Sequence, residues 1–263
     1  MTRSANDPSC RLALVGKGGT GKSALTALIT RHWVKRGKKK LLLIDADPTM
    51  GLCQVLGIHP SRTLEDLRHR IITVGGRGRP REREELVYTL DYHLFEALTE
   101  AEGFALLAMG QPRESGCFCP ANTLLKKAVE SLSRAFEAVL IDCEAGLEQV
   151  SRKVIGGIDR LIIVTDPTRR GFRTAQELKK AAARFTRAKD IGLVVNRVKP
   201  DSPGLEDLIR DAAIPLLGCV PEDDLIARWD LEGRSVWNLP DEAESVRAVE
   251  NILSNLFQGG CAS

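Results

Sequence analysis

Short unbroken apolar runs alternate along the chain with stretches of helical spacing. Leu12-Ala13-Leu14-Val15 and Leu41-Leu42-Leu43-Ile44 are each four residues of continuous apolar character, the pattern of strands covered on both faces. Between them Leu25, Leu28, Ile29 and Trp33 keep a helical period up to Gly37, a stop signal. The alternation continues to the end, with further strands expected at 104–109, 138–141, 161–165, 193–196 and 216–220. Helical periods fall between them at Ala121, Leu124, Leu125, Ala128, Val129 and Leu132, then at Leu178, Ala181, Ala182 and Phe185, and last at Val246, Val249, Leu253 and Leu256. This order predicts an α/β fold, a doubly wound, mostly parallel sheet with helices on both faces. No repeat is visible, and the motif order favours a single domain over 1–263 with its core at about 11–257. The biased run Gly75-Gly76-Arg77-Gly78-Arg79-Pro80-Arg81-Glu82-Arg83 is expected to be a mobile, solvated insertion and a potential lid.

Composition narrows the setting. With 43% hydrophobic and 28% charged residues the chain is ordinary for a soluble globular protein, and no apolar run nears the roughly 18 to 20 residues that span a bilayer. No membrane role is therefore expected. A net charge of +3 is too slight to argue for nucleic acid, and the basic cluster Lys35-Arg36-Gly37-Lys38-Lys39-Lys40 reads as a solvated helix end where cations complement the dipole. Met1 to Cys10 has no apolar leader core, and seven cysteines, an odd number, suit a reducing compartment. A cytoplasmic location is the expectation.

The chemistry begins at Gly16-Lys17-Gly18-Gly19-Thr20-Gly21-Lys22-Ser23, which fits G-x-x-x-x-G-K-[ST] between a strand and a helix. Backbone N–H groups of Gly18, Gly19, Thr20, Gly21 and Ala24 are expected to cradle the phosphates of ATP, with the helix N-terminus adding partial positive charge. Lys22 would meet the β/γ-phosphates and Ser23 would place its hydroxyl on Mg²⁺. Lys17 narrows the loop further. With it the sequence K-G-G-x-G-K-S resembles the deviant phosphate loop of the MinD, ParA, ArsA and nitrogenase-iron-protein class. That resemblance implies a homodimer in which Lys17 reaches the nucleotide of the other subunit.

Acidic residues follow at strand ends. Asp45-Ala46-Asp47-Pro48 closes the second strand, and ligands of open parallel sheets bind beyond such ends, although Asp-Pro also starts ordinary turns. By resemblance to the switch segment D-x-D-P of the same class, Asp47 positions the attacking water and Asp45 lies nearer the metal shell. Asp142 ends the run Ala138-Val139-Leu140-Ile141 as a metal-shell carboxylate of the Walker B kind. Gly146 would bring a backbone N–H to the γ-phosphate. For the base, Asn196 and Arg197 end a strand with an amide suited to adenine, and Lys199 stands where a guanine-specific site would carry a carboxylate. Pro221, Glu222 and Asp223 are expected to flank the base. A structural Asn at a strand end is the alternative for Asn196.

Cys117 and Cys119 in Gly116-Cys117-Phe118-Cys119-Pro120 are unexplained by ATP hydrolysis. Pro120 suits a first helical position and places Cys119 at the helix N-cap, where thiolate, the metal-binding form, is favoured. Residues i and i+2 of an extended chain share a face, so two pairs from a symmetric dimer would complete a four-thiolate Ni²⁺ or Zn²⁺ site. Two buried small apolar residues remain the other reading. Gln111 to Leu125, Asp142-Cys143-Glu144-Ala145-Gly146 and Asp166-Pro167-Thr168 resemble the CooC-type ATPases, accessory proteins for nickel insertion into carbon monoxide dehydrogenase. The likeness runs from about Arg11 to Phe257 and implies that enzyme as client. Ala24 stands where a second hydroxyl residue is common, and Gly51 where Asn is expected. Two alternatives follow from the wider class: a ParA/MinD-like positioning ATPase, and an iron–sulfur carrier or electron donor resembling the nitrogenase iron protein.

Overall fold

The structure is a computed structural model in which residues 10–38, 40–113, 119–143, 158–186, 188 and 190–257 are described. Its strands are β1 (Cys10–Gly16), β2 (Leu41–Ala46), β3 (Leu98–Ala101), β4 (Phe104–Ala108), β5 (Ala138–Cys143), β6 (Arg160–Thr165), β7 (Asp190–Val198) and β8 (Leu216–Pro221). They form one sheet in the order β3-β4-β2-β5-β1-β6-β7-β8. All neighbours run parallel except the edge pair β3–β4, which is antiparallel. The mostly parallel, doubly wound sheet expected from the apolar runs is thus the fold observed. The short β3, only half-buried at the sheet edge, has no continuous apolar run and gave no such signal.

Successive residues of each central strand feed opposite apolar layers. Ala13, Val15, Leu42 and Ile44 pack under α3 (Leu64–Arg77), α4 (Pro80–Glu96), α5 (Cys119–Ser133), α6 (Arg169–Phe185) and α7 (Leu205–Ala212). Leu12, Leu14, Leu41 and Leu43 pack under α1 (Lys22–Lys35), α2 (Gly51–Leu56), α8 (Asp224–Leu231) and α9 (Glu244–Phe257). Every side chain of β2 and β5 is buried, which is why these strands read as unbroken apolar segments.

The Gly/Arg-rich run does not form the expected loop. α3 extends through Gly75 and Gly76 to Arg77, and α4 begins at Pro80, leaving only Gly78 and Arg79 between two helices. Local chemistry explains this outcome. Pro80 occupies the first turn, where its missing N–H costs nothing, and the Glu82 carboxylate accepts the Arg79 N–H at 2.8 Å as a capping interaction. The leucines Leu86, Leu90 and Leu94 then bury one face of α4, and that burial anchors the hairpin.

Candidate active site

Strand order brings the predicted phosphate chemistry together, because β2, β5 and β1 are adjacent and parallel and so deliver Asp45–Asp47, Asp142 and the phosphate loop to one edge. The loop runs from Gly16, the last residue of β1, into α1, which opens at Lys22. Its turn is closed on the Lys17 carbonyl, which accepts from Thr20 Oγ1 at 2.8 Å and Lys22 Nζ at 3.2 Å. Lys22 is buried, Lys17 is half-buried, and Gly18 and Gly19 are exposed. Ala24 follows in the first turn of α1 and is half-buried.

Gly21 sits at φ +85°, and a Cβ there would meet Asn196 Nδ2 at 2.3 Å. The position therefore requires glycine on both backbone and packing grounds. The approach is close because Asn196 Nδ2 donates to the Thr20 carbonyl at 2.8 Å. Asn196 is thus the brace of the phosphate loop, the structural alternative weighed for it, and its NH₂ group is engaged there.

The remaining base-site expectations diverge from the structure. Arg197 is exposed in a left-handed conformation, φ +59°. Glu222 pairs with Lys199 at 3.2 Å, the residue next but one after Arg197. Asp223 is spent on architecture: its carboxylate caps α8 through Leu225 N at 3.0 Å and binds the Ser245 hydroxyl at 2.6 Å, tying α8 to the start of α9. Only Pro221, closing β8, keeps a plain strand-end position. An acid after a strand was read as a ligand group where it is a helix cap.

Ser23 Oγ donates to Asp142 Oδ2 at 2.6 Å, whereas the buried Asp142 Oδ1 has no hydrogen-bond partner among the described residues. Burial pushes the Asp142 carboxyl up to about 7; the Ser23 hydroxyl and Lys22 oppose the shift, and the Asp45 and Asp47 carboxylates add to it. A buried oxygen without a donor beside a serine hydroxyl is what a hydrated Mg²⁺ would satisfy, so this donor set fits that ion. Gly51, which stands where Asn was expected, lies against this pair: a Cβ there would stand 3.2 Å from Ser23 Oγ, a tight contact.

The two switch carboxylates differ sharply. Asp45 is fully buried and accepts the N–H of Cys53 at 3.0 Å and of Asp47 at 3.2 Å. Desolvation raises its pKa, and those two N–H bonds hold it down. It ties α2 to the end of β2, a positioning task in place of the metal-shell role expected. Asp47 is half-exposed, with Oδ1 accepting from both Thr49 N at 2.8 Å and Thr49 Oγ1 at 2.7 Å. Sequence reasoning missed Thr49, although Asp followed two residues later by Thr is the signature of such a side-chain turn. Cys53, in contact with Asp45, and Cys143, beside Asp142, are both pushed up by burial and are inert packing thiols.

Cys117 and Gly146 lie outside the described residues, and Cys119 is placed only as the first residue of α5. Among the described residues no group of three or more His, Cys, Asp or Glu is arranged to hold a metal. None of their helices is long and apolar enough to cross a membrane.

Residues 12–236 match the CobQ/CobB/MinD/ParA nucleotide binding domain. An uncharacterized ATP-binding protein of Methanocaldococcus jannaschii is 36% identical over 254 residues, covering 94% of this chain and 98% of the relative. The carbon monoxide dehydrogenase accessory protein CooC of Rhodospirillum rubrum is 32% identical over 258 residues, covering 91% and 95%. Among solved structures, the septum site-determining protein MinD of Pyrococcus horikoshii, complexed with Mg-ADP, superposes with a TM-score of 0.67 at 22% identity, covering 97% of this chain and 99% of that one.

Proposed function

We propose that this chain, which belongs to the CobQ/CobB/MinD/ParA nucleotide-binding family, is an ATPase that works as a homodimer and assists nickel insertion into carbon monoxide dehydrogenase. The relative at 36% identity is an ATP-binding protein, and ATP with Mg²⁺ fits the loop, Ser23 and Asp142. Mg²⁺ would supply charge neutralisation between the β- and γ-phosphates. The chain's own residues do the rest. Backbone N–H groups of Gly18 to Ala24 hold the phosphates, and Lys22 gives up the Lys17 carbonyl for them. Asp47 orients the attacking water, and its hold on Thr49 is the contact that must rearrange to free it. Lys17 acts across the dimer on the partner's nucleotide, and Gly146 senses the γ-phosphate. Adenine lies beside the end of β7 at Asn196 and Arg197, with Pro221 at the end of the neighbouring strand β8.

The finer reading, nickel handling, is supported by one conjunction. The likeness to the Rhodospirillum rubrum accessory protein spans 91% of the chain, and the sequence carries a C-x-C pair that nothing in ATP hydrolysis needs, of which Cys119 is the first residue of α5. Cys117 and Cys119 would carry Ni²⁺, or Zn²⁺ in its place, shared between two subunits. A single ATPase domain then suffices, and no membrane or nucleic-acid partner is required. A MinD- or ParA-like positioning ATPase is the second reading, favoured by the structural likeness to MinD. Activation of nickel-deficient carbon monoxide dehydrogenase by Ni²⁺ separates them. The proposal expects activation to rise with this protein plus ATP and not with the Lys22→Ala variant. Equal activation with and without the protein would overturn it.

A further inference from the structure

Of the six large apolar side chains left exposed among the described residues, four stand on α4: Val87, Tyr88, Tyr92 and Phe95. Tyr88, Tyr92 and Phe95 are spaced i, i+4, i+7 and share one face, turned away from the buried Leu86, Leu90 and Leu94. They keep 86%, 62% and 60% of their surface. Both tyrosines of the whole chain are here. Single exposed apolar residues need no explanation, but a contiguous aromatic stripe on an otherwise well-packed helix marks a contact surface.

The charges around the stripe select its occupant. Glu84, Glu85 and Asp91 flank the aromatics, all exposed and with no cation among the described residues paired to them. Among the described residues of α4, Arg81 alone offsets them at the head of the face, which is therefore acidic. A second copy packed antiparallel about Tyr88 would set Glu85 against Asp91, and a parallel one would set each acid against itself, so self-pairing is repelled. An anionic lipid surface is repelled for the same reason.

We propose that the outer face of α4 is a docking surface for a cationic amphipathic helix of a partner protein. Apolar anchors at i, i+4 and i+7 of that helix would pack between Tyr88, Tyr92 and Phe95. Its flanking Lys or Arg would pair with Glu84, Glu85 and Asp91 and lie over the aromatic faces. The inference stands apart from the nickel reading. It gains reach from position, because α4 packs against α5, the helix that Cys119 opens.

The test uses the full chain labelled with ¹³C on tyrosine, which gives two ring signals, both from the stripe. The probes are two synthetic helices of about 20 residues, with the same Leu spacing and either Lys or Glu flanks. The Lys peptide is expected to shift both signals with an affinity that falls with salt. The Glu peptide, and vesicles of anionic lipid, are expected to leave them unmoved. Tyr88→Ser with Phe95→Ser should weaken the Lys peptide by about tenfold or more. Glu84→Lys, Glu85→Lys and Asp91→Lys together should invert the preference, with thermal unfolding and ATP turnover unchanged. Equal response to both peptides, no response to either, shifts with vesicles, or signals that move with the chain's own concentration would each overturn the proposal.

Discussion

The Lys17 carbonyl receives both the Thr20 hydroxyl and the Lys22 ammonium, so the side chain that must meet the phosphates is stored one short movement from its task. Lys22→Ala removes the main side-chain charge on the β/γ-phosphates and should lower ATP turnover by roughly two to three orders of magnitude, read in a phosphate-release assay; turnover near wild type would contradict the loop assignment. Asp47→Asn acts differently. The amide keeps an oxygen for Thr49 but loses the charge that orients water, so Mg²⁺–ATP should bind with near-normal affinity and remain uncleaved. Calorimetry alongside turnover checks both halves. At this scale the sequence was informative about position wherever a motif follows a buried strand: the loop, Ser23 and Asp142 lie together as their spacing implied. It misled at Asp45 and Asp223, because a carboxylate at a strand end looks the same whether it faces a ligand or a neighbouring N–H. Only the helices α2 and α8, which consume those carboxylates, distinguish the cases.

Strands were legible where their apolar residues run without a break, which burial on both faces favours. β1, β2, β5 and β6 lie inside the sheet and appear as unbroken apolar runs, whereas β3 at the edge and the six-residue α2 lack that signal. The α3–α4 hairpin was misread because its glycines and arginines carry the composition of a loop. Its order comes from the Thr63–Asp66 capping box, Pro80 and the buried leucines of α4. Gly75 and Gly76 consequently sit within a helix, and a Cβ on either would meet nothing within 4 Å. Gly75→Ala and Gly76→Ala should each stabilise the fold by about 0.5–1 kcal/mol, seen as a higher midpoint in thermal unfolding. A loss of stability from either would mean that this turn of α3 is not helical in solution.

For the molecule as a whole, the sheet presents one edge at which loop, switch and Asp142 meet, and two of the proposed roles, those of Lys17 and of the cysteine pair, require a second subunit. In the proposed function Lys17 acts on the partner's nucleotide, and each subunit would supply two thiols, Cys117 and Cys119, toward a four-thiolate site. Dimerisation is therefore expected to respond to ATP and to metal together, and metal affinity is expected to fall as pH drops because ligand thiols must lose protons. Sequence resemblance carried this level of the account, since single-chain geometry does not contain an interface. The most direct test is metal stoichiometry after anaerobic purification and equilibration with Ni²⁺ under reducing conditions, for wild type against the Cys117→Ser/Cys119→Ser double variant. About one metal per wild-type dimer, with none retained by a double variant that still binds ATP, is the expected result. Equal metal content in the two proteins would contradict the nickel-handling role and leave an ATPase whose cysteines serve only packing.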